Sequence, residues 1–419
     1  MRFIALIIFL VMFYTASMGR TEGNGFLLNV IYLSMLGLLL LTLFSNNFQI
    51  MNNTKLLLAV YLFVFFSGIS SIINSDSYIL RTSILIGLAF ILASILVPML
   101  RININKLIFL AVIVSHIPIV LIPIIQTGIN QSPYQGVFYN PNTFGNTVVT
   151  LFAAILPIFI MVLQRRIEGV KQPHFLLKIV SLLIILILLV YLVSISSSRT
   201  SFISLVTISL TGFFILTYYI YKNKKTLLLL KRGIIYVAVA VIIFTVVWNT
   251  TNLSSIVHES IFLKFEEKLA EGDVLDTRGD IWKQTINEAT LFGHGSGYFI
   301  ESFNLGAHNT FIYILGIYGY IPAIIFILLI INFLLVSMKY ALKPDISRFK
   351  YSPIILSVNF IMLSLGEEML FKVAMLIMFF SVSDVYAKKY DRQRVGMNSN
   401  SKVGKELKAE TKIEEVLYS

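Results

Sequence analysis

Long apolar runs alternate with short polar joints over most of the chain. Runs of about 17 to 25 apolar residues cross a bilayer as helices, and the period-2 alternation of a barrel strand is absent. The pattern predicts an all-α polytopic membrane protein with about twelve spans. They are Phe3 to Met18, Phe26 to Phe44, Leu56 to Ile73, Ser83 to Leu100, Leu107 to Ile125 and Phe144 to Leu163. Ile179 to Ser196, Ser201 to Tyr221, Gly233 to Trp248, Thr310 to Met338, Ser352 to Gly366 and Met369 to Tyr386 complete the set, the last two being short. Arg2 before an apolar run resembles a signal peptide, but no small-residue cleavage site follows and a second span comes directly after. The first run is therefore read as an uncleaved helix.

One long polar segment, residues 249–309, interrupts this rhythm. Between Ser254 and Glu271, the positions Val257, Ile261, Phe262, Phe265 and Leu269 recur at three- and four-residue steps, which predicts an amphipathic helix lying on a leaflet. A second helix is expected from Thr277, where Thr277 and Asp280 match a capping box. Its inward face is Ile281, Trp282, Thr285, Ile286 and Ala289.

Composition removes the soluble alternatives. Of 419 residues, 57% are hydrophobic and 13% charged, beyond what a soluble core of this length uses. The net charge of +12 does not indicate nucleic acid, because the basic residues lie between apolar runs rather than on one polar face. With the N-terminus inside, seventeen Lys and Arg residues between Arg2 and Lys350 fall on inner loops, against Arg20, Arg81, Arg199 and Lys372 on short outer ones. This bias makes both termini cytoplasmic and the 249–309 segment extracytoplasmic, within a membrane body of residues 1–386 in a plasma or inner membrane. The basic tail, residues 387–419, is expected to be disordered or to lie at the inner headgroups. Cysteine is absent, which removes disulfides and thiol chemistry. No internal repeat of the carrier kind is evident.

The unusual polar residues gather at the outer face. Arg278 falls in the first turn of the second outer helix, where a cation opposes the helix dipole unless an anion joins it; pairing with Asp276 or Asp280 is the plainer alternative. Arg199, in SISSSRTS, sits in a tight outer turn against the topological charge bias, either snorkelling to headgroups or offering its fork to phosphate. His308 stands at the mouth of the tenth span. Its imidazole is the best general-base candidate, or else a polar group at a helix start beside the cap Asn309. The glycines of FGHGSGYF, Gly293, Gly295 and Gly297, form a turn or an anion nest, with His294 between them. Phe138, Tyr139 and Asn142, in the uncharged outer loop, are either interfacial belt residues or contacts for sugar rings and hydroxyls, and His294 and Asn309 are further candidates for contact with the glycan or acceptor. Acidic residues such as Asp273, Asp280, Glu367 and Glu368 form no ligand-spaced set with histidine, and Glu367-Glu368 also reads as a turn between short spans. The expectation is a site without metal or other cofactor.

Four features, GVFYNPNTFGN, SSSRTS, TRGDIW leading into FGHGSGYF, and AHNTFIYILGIYGYIP, resemble in content, order and topology the bacterial O-antigen ligase and polymerase superfamily. The resemblance covers roughly Gly136 to Pro322. It implies a C-type membrane glycosyltransferase fold and transfer of glycans from a polyprenyl pyrophosphate carrier, with inversion at the anomeric carbon. Arg199 and Arg278 are then implied to hold the donor pyrophosphate, and His308 to take the proton of the acceptor hydroxyl. A polymerase of oligosaccharide repeat units for capsule, exopolysaccharide or O-antigen is the first reading. The second is a ligase delivering finished glycan to a lipid, wall polymer or protein. A transporter of lipid-linked sugars predicts buried polar groups at mid-membrane; only His116 qualifies, and it also reads as a packed neutral histidine.

Overall fold

The computed structural model describes residues 1–18, 25–45, 54–100, 102–129, 133–222, 258–270, 278–343 and 349–387, and the single positions 245 and 255. Among these there is no strand. Helices α1 (Arg2–Met18), α2 (Gly25–Ser45), α3 (Thr54–Ile73), α4 (Ser77–Ile91), α5 (Ile104–Thr127), α6 (Pro141–Ile167), α7 (Phe175–Ile195) and α8 (Arg199–Lys222) follow the predicted apolar runs. Helix α4 starts earlier than its apolar run because Asp76 caps it, accepting from the Tyr78 N–H at 3.0 Å; it continues through a π turn and a 3₁₀ turn to Leu100. A π turn (His258–Phe262) leads into α9 (Leu263–Ala270), and then come α10 (Arg278–Glu288), α11 (Tyr298–Phe303), α12 (Thr310–Tyr318), α13 (Tyr320–Ala341), α14 (Ser352–Ser364) and α15 (Val373–Ser381). The expected span Gly233 to Trp248, the cap Thr277 and the tail from 388 onward lie outside the described residues.

Among the described residues, eight helices are long and apolar enough to cross a membrane, and Arg2–Met18, Ser352–Ser364 and Val373–Ala387 are shorter apolar helices. Large apolar side chains such as Phe3, Ile72, Leu176 and Phe214 are exposed on the bundle surface, as lipid-facing positions are. Helix α6 lies at the centre, packed on α5, α7, α8 and α14 and buried along most of its length. The contacts among α6, α8 and α14 include hydrogen bonds as well as apolar packing. Ser201 Oγ donates to Asn146 Oδ1 at 2.8 Å, Ser204 Oγ to Asn359 Oδ1 at 3.0 Å, and Asn359 Nδ2 to Thr150 Oγ1 at 3.3 Å. Each such bond between membrane helices contributes about 0.6 kcal/mol and, more usefully, fixes the register of α6, α8 and α14. His116 is fully buried, with Ser115 Oγ 2.8 Å from Nδ1 and Ser17 Oγ 3.1 Å from Nε2, so it ties α5 to α1.

The tenth run, read as one span from Thr310 to Met338, is broken. Gly319 has φ +93 and ψ 177, ending α12 after nine residues and starting α13. A Cβ there would strike the backbone of Leu291 and Gly293, so only glycine admits both the dihedral and the close approach. Gly319→Ala is expected to cost about 2 kcal/mol or more, seen as a lower unfolding midpoint of the detergent-purified chain; an unchanged midpoint would mean that the break is not held by this contact.

Candidate functional site

Asn140 caps α6, accepting from the Asn142 N–H at 2.8 Å, with Pro141 presetting the first helical φ. The turn between α14 and α15 brings Glu367 to meet this start, and Asn142 Nδ2 donates to Glu367 Oε1 at 2.9 Å. Arg278, at the first position of α10, donates from Nη1 to the Gly366 carbonyl at 2.8 Å and holds Nη2 3.9 Å from the same carboxylate oxygen. His308 places Nδ1 3.8 Å from Glu367 Oε2, while its backbone N–H donates to Glu368 Oε1 at 3.2 Å. Three residues distant in sequence therefore gather on one carboxylate. The Glu367 side chain is 10% exposed, against 21% for Arg278 and 35% for His308. Burial alone would raise the Glu367 carboxyl. His308, Lys372 and Arg278 outweigh it and hold the group below its ordinary range.

The loop bearing His308 is fastened on both sides. Trp282 Nε1 donates to the Ala307 carbonyl at 2.8 Å. Asn309 caps α12 through Oδ1, accepting from the N–H groups of Phe311 and Ile312 at 2.9 and 3.1 Å, and its Nδ2 donates to the Leu365 carbonyl at 3.2 Å. Thr310 Oγ1 donates to the Glu367 carbonyl at 3.0 Å and accepts from the Met369 N–H at 2.9 Å. Asn309 is thus buried with both ends of its amide engaged, a positioning role rather than a sugar contact.

Beside this cluster lies a cavity of about 500 Å³, walled by His308, Glu367, Glu368, Lys372, Tyr78 and Tyr313, with Asn140 and Thr143 at its rim. Arg199 opens α8, next to this assembly. Gly145 runs so close to its turn that a Cβ would fall 2.7–2.9 Å from Ser196, Ser198 and Ser201 atoms, and Gly366 lies as tightly against Thr200. The residue after Arg199 thus touches the residue whose carbonyl anchors Arg278.

Known protein families and curated proteins give no match to this chain.

Other expected residues lie apart. Tyr139 is 88% exposed, with Phe138 buried beneath the same loop. His294 has Nε2 2.9 Å from the Glu288 carbonyl and stacks on Tyr298 at 4.6 Å, away from the cavity walls. Nor do the FGHGSGYF amides form a nest. The N–H groups of His294 and Gly295 donate to Gly316 and Ile317 carbonyls at 2.9 and 3.4 Å, and that of Ser296 to Asp76 Oδ2 at 2.6 Å. The motif is a clasp joining α10 to the Gly319 break and the α3–α4 turn. On α10, Ile281 and Thr285 are buried and Trp282 half-buried as expected, whereas Ile286 is exposed, its backbone carbonyl accepting from Tyr320 Oη.

Glu367, Glu368 and Lys372 are the residues that sequence reasoning undervalued. The available signal was two adjacent carboxylates in an apolar C-terminal stretch, an expensive placement unless partners wait there. Among the described residues, no three His, Asp or Glu side chains form a metal-binding group. Left-handed backbone concentrates at this end: Asn304, His308 and Phe371, all on the cavity wall, have φ of 51, 48 and 56, and Ser197 beside Arg199 has 55.

Proposed function

We propose that the chain is an extracytoplasmic membrane glycosyltransferase that joins oligosaccharide repeat units carried on polyprenyl pyrophosphate. In this reading it has about twelve spans, a C-type glycosyltransferase-like arrangement and cytoplasmic termini. The observation that supports it most is the meeting of His308, Arg278 and Asn142 on Glu367 at the edge of a cavity, with the Arg199 turn packed alongside.

The acceptor hydroxyl oxygen attacks the anomeric carbon of the donor glycan. A carbon–oxygen bond forms there as the bond from that carbon to the pyrophosphate oxygen breaks, and polyprenyl pyrophosphate leaves. The hydroxyl proton passes to Nε2 of His308, the ring nitrogen away from Glu367, and the adjacent carboxylate stabilises the resulting imidazolium. Arg278 and Arg199 neutralise charge developing on the leaving group, and Glu367 keeps Arg278 from swinging toward solvent. An aromatic and amide-lined cavity beside them suits a sugar ring.

The test is reconstituted full-length protein supplied with lipid-linked repeat units. Arg199→Lys and Arg278→Lys are each expected to weaken donor binding by about tenfold, since a point charge does not replace a planar fork. Chain growth that survives both substitutions unchanged would overturn the leaving-group assignment. A chelator is expected to leave the rate unaltered, and restoration by a divalent ion after chelation would contradict charge stabilisation by arginine alone.

A further inference from the structure

At the other end of the bundle lies a second cavity, of about 730 Å³. Asn142 and Arg165 are both on α6, and 23 residues at about 1.5 Å each separate them by roughly 35 Å along the helix, the thickness of a membrane core. The charge bias of the loops puts this end at the inner leaflet. Four cations converge on the cavity: Lys106 at the start of α5, Arg165 at the end of α6, Lys171 in the connecting loop and Lys178 in the first turn of α7. Among the described residues, none in its wall is acidic.

Two described carboxylates at this end, Glu168 and Asp384, are engaged by other partners. Glu168 Oε1 accepts from Gln164 Nε2 at 2.9 Å and from Tyr219 Oη. Asp384 caps α5, accepting from the Ile104 and Asn105 N–H groups at 2.9 and 3.0 Å. The loop that carries Lys171 is itself held in place, with Gln172 Nε2 donating to the Val162 carbonyl at 3.0 Å and the Val170 N–H to the Arg165 carbonyl at 3.0 Å. The wall is apolar along α6 before Arg165, at Ile158, Met161 and Val162, and at Phe349, which packs on Phe109 at 5.8 Å.

A charge bias alone scatters lysines over loop tips; here they surround a cavity with a greasy floor. We propose that this cavity binds a phosphate headgroup, with the attached hydrocarbon chain lying along the apolar wall. The ligand class is an anionic phospholipid or another phosphate-bearing lipid of the inner leaflet. The site is separate from the one proposed to do chemistry and does not depend on it.

The full chain is placed in bilayer discs of equal phosphatidylglycerol and phosphatidylcholine, and the lipid that stays bound on release is identified by native mass spectrometry. Wild type is expected to retain phosphatidylglycerol. Lys106→Gln, Lys171→Gln and Lys178→Gln together remove that preference, by about fivefold per lysine. Lys222→Gln, Lys339→Gln and Lys343→Gln, an equal charge change at exposed positions outside the cavity, leave it intact. Should the triple variant fold poorly, Lys171→Gln alone, in an exposed loop, is expected to give a partial loss. Displacement by excess inorganic phosphate would assign the site to free phosphate, and resistance to it to the lipid. Equal retention by wild type and pocket variant, or equal loss in the control, would overturn the proposal.

Discussion

His308→Ala is expected to abolish chain growth while the lipid-linked donor still binds. General-base catalysis contributes about 10²–10⁴ to rate, and the substitution removes the proton acceptor without touching Arg278, Arg199 or the cap at Asn309. The measurement is a split one: polymer length by gel from purified enzyme and donor, and donor affinity on the same preparation. Retained chain growth would remove the base assignment. Loss of donor binding together with activity would mean that His308 shapes the pocket instead. His308→Gln, which keeps a polar group of similar reach but takes no proton at neutral pH, is expected to behave like alanine in rate.

Glu367→Ala is expected to be the most damaging single change to the site's architecture. It leaves Arg278 and Lys372 without the carboxylate they face, strips Asn142 of its acceptor and removes the group opposite His308 Nδ1. Breaking one side of a buried ion pair costs about 3 kcal/mol, so the unfolding midpoint falls along with the activity. Acidity separates charge from shape. In the folded chain the carboxyl is held below its ordinary value of 4.5, so folding favours the deprotonated form. Its stabilisation is therefore fully present above that value and is lost as the pH falls through the lower folded value. Glu367→Gln keeps the shape and is expected to flatten this acid limb of the stability profile. An acid limb identical to that of wild type would show that Glu367 does not anchor the cluster.

Hydrophobic runs carried most of the fold. Helices α1 to α8 appear where the apolar stretches lie, because an apolar helix of this kind is specified by length and composition more than by partners. Two features were not legible. The Gly319 break sits inside an unbroken apolar run, and its cause is the approach of Leu291 and Gly293, a tertiary fact that only Gly319 and Pro322 hint at locally. The role of Glu367 depends on Asn142, Arg278 and His308 arriving from three separate segments, which no local pattern encodes. His308 and Arg278, by contrast, stood out because each looked out of place where it was. The glycine cluster misled for the opposite reason: spacing that permits an anion nest equally permits a clasp, and neighbouring carbonyls decide between them.

The left-handed backbone at His308 separates two pressures on this chain. A side chain at φ 48 costs about 1 kcal/mol relative to an ordinary conformation, a penalty that asparagine or glycine at the same position would reduce. Where that penalty exceeds what the His308–Glu367 contact returns, selection for thermal robustness alone discards this histidine, and with it the group proposed to do the chemistry. Directed evolution scored only by melting temperature should drift toward His308→Asn or His308→Gly and return sturdier, silent proteins.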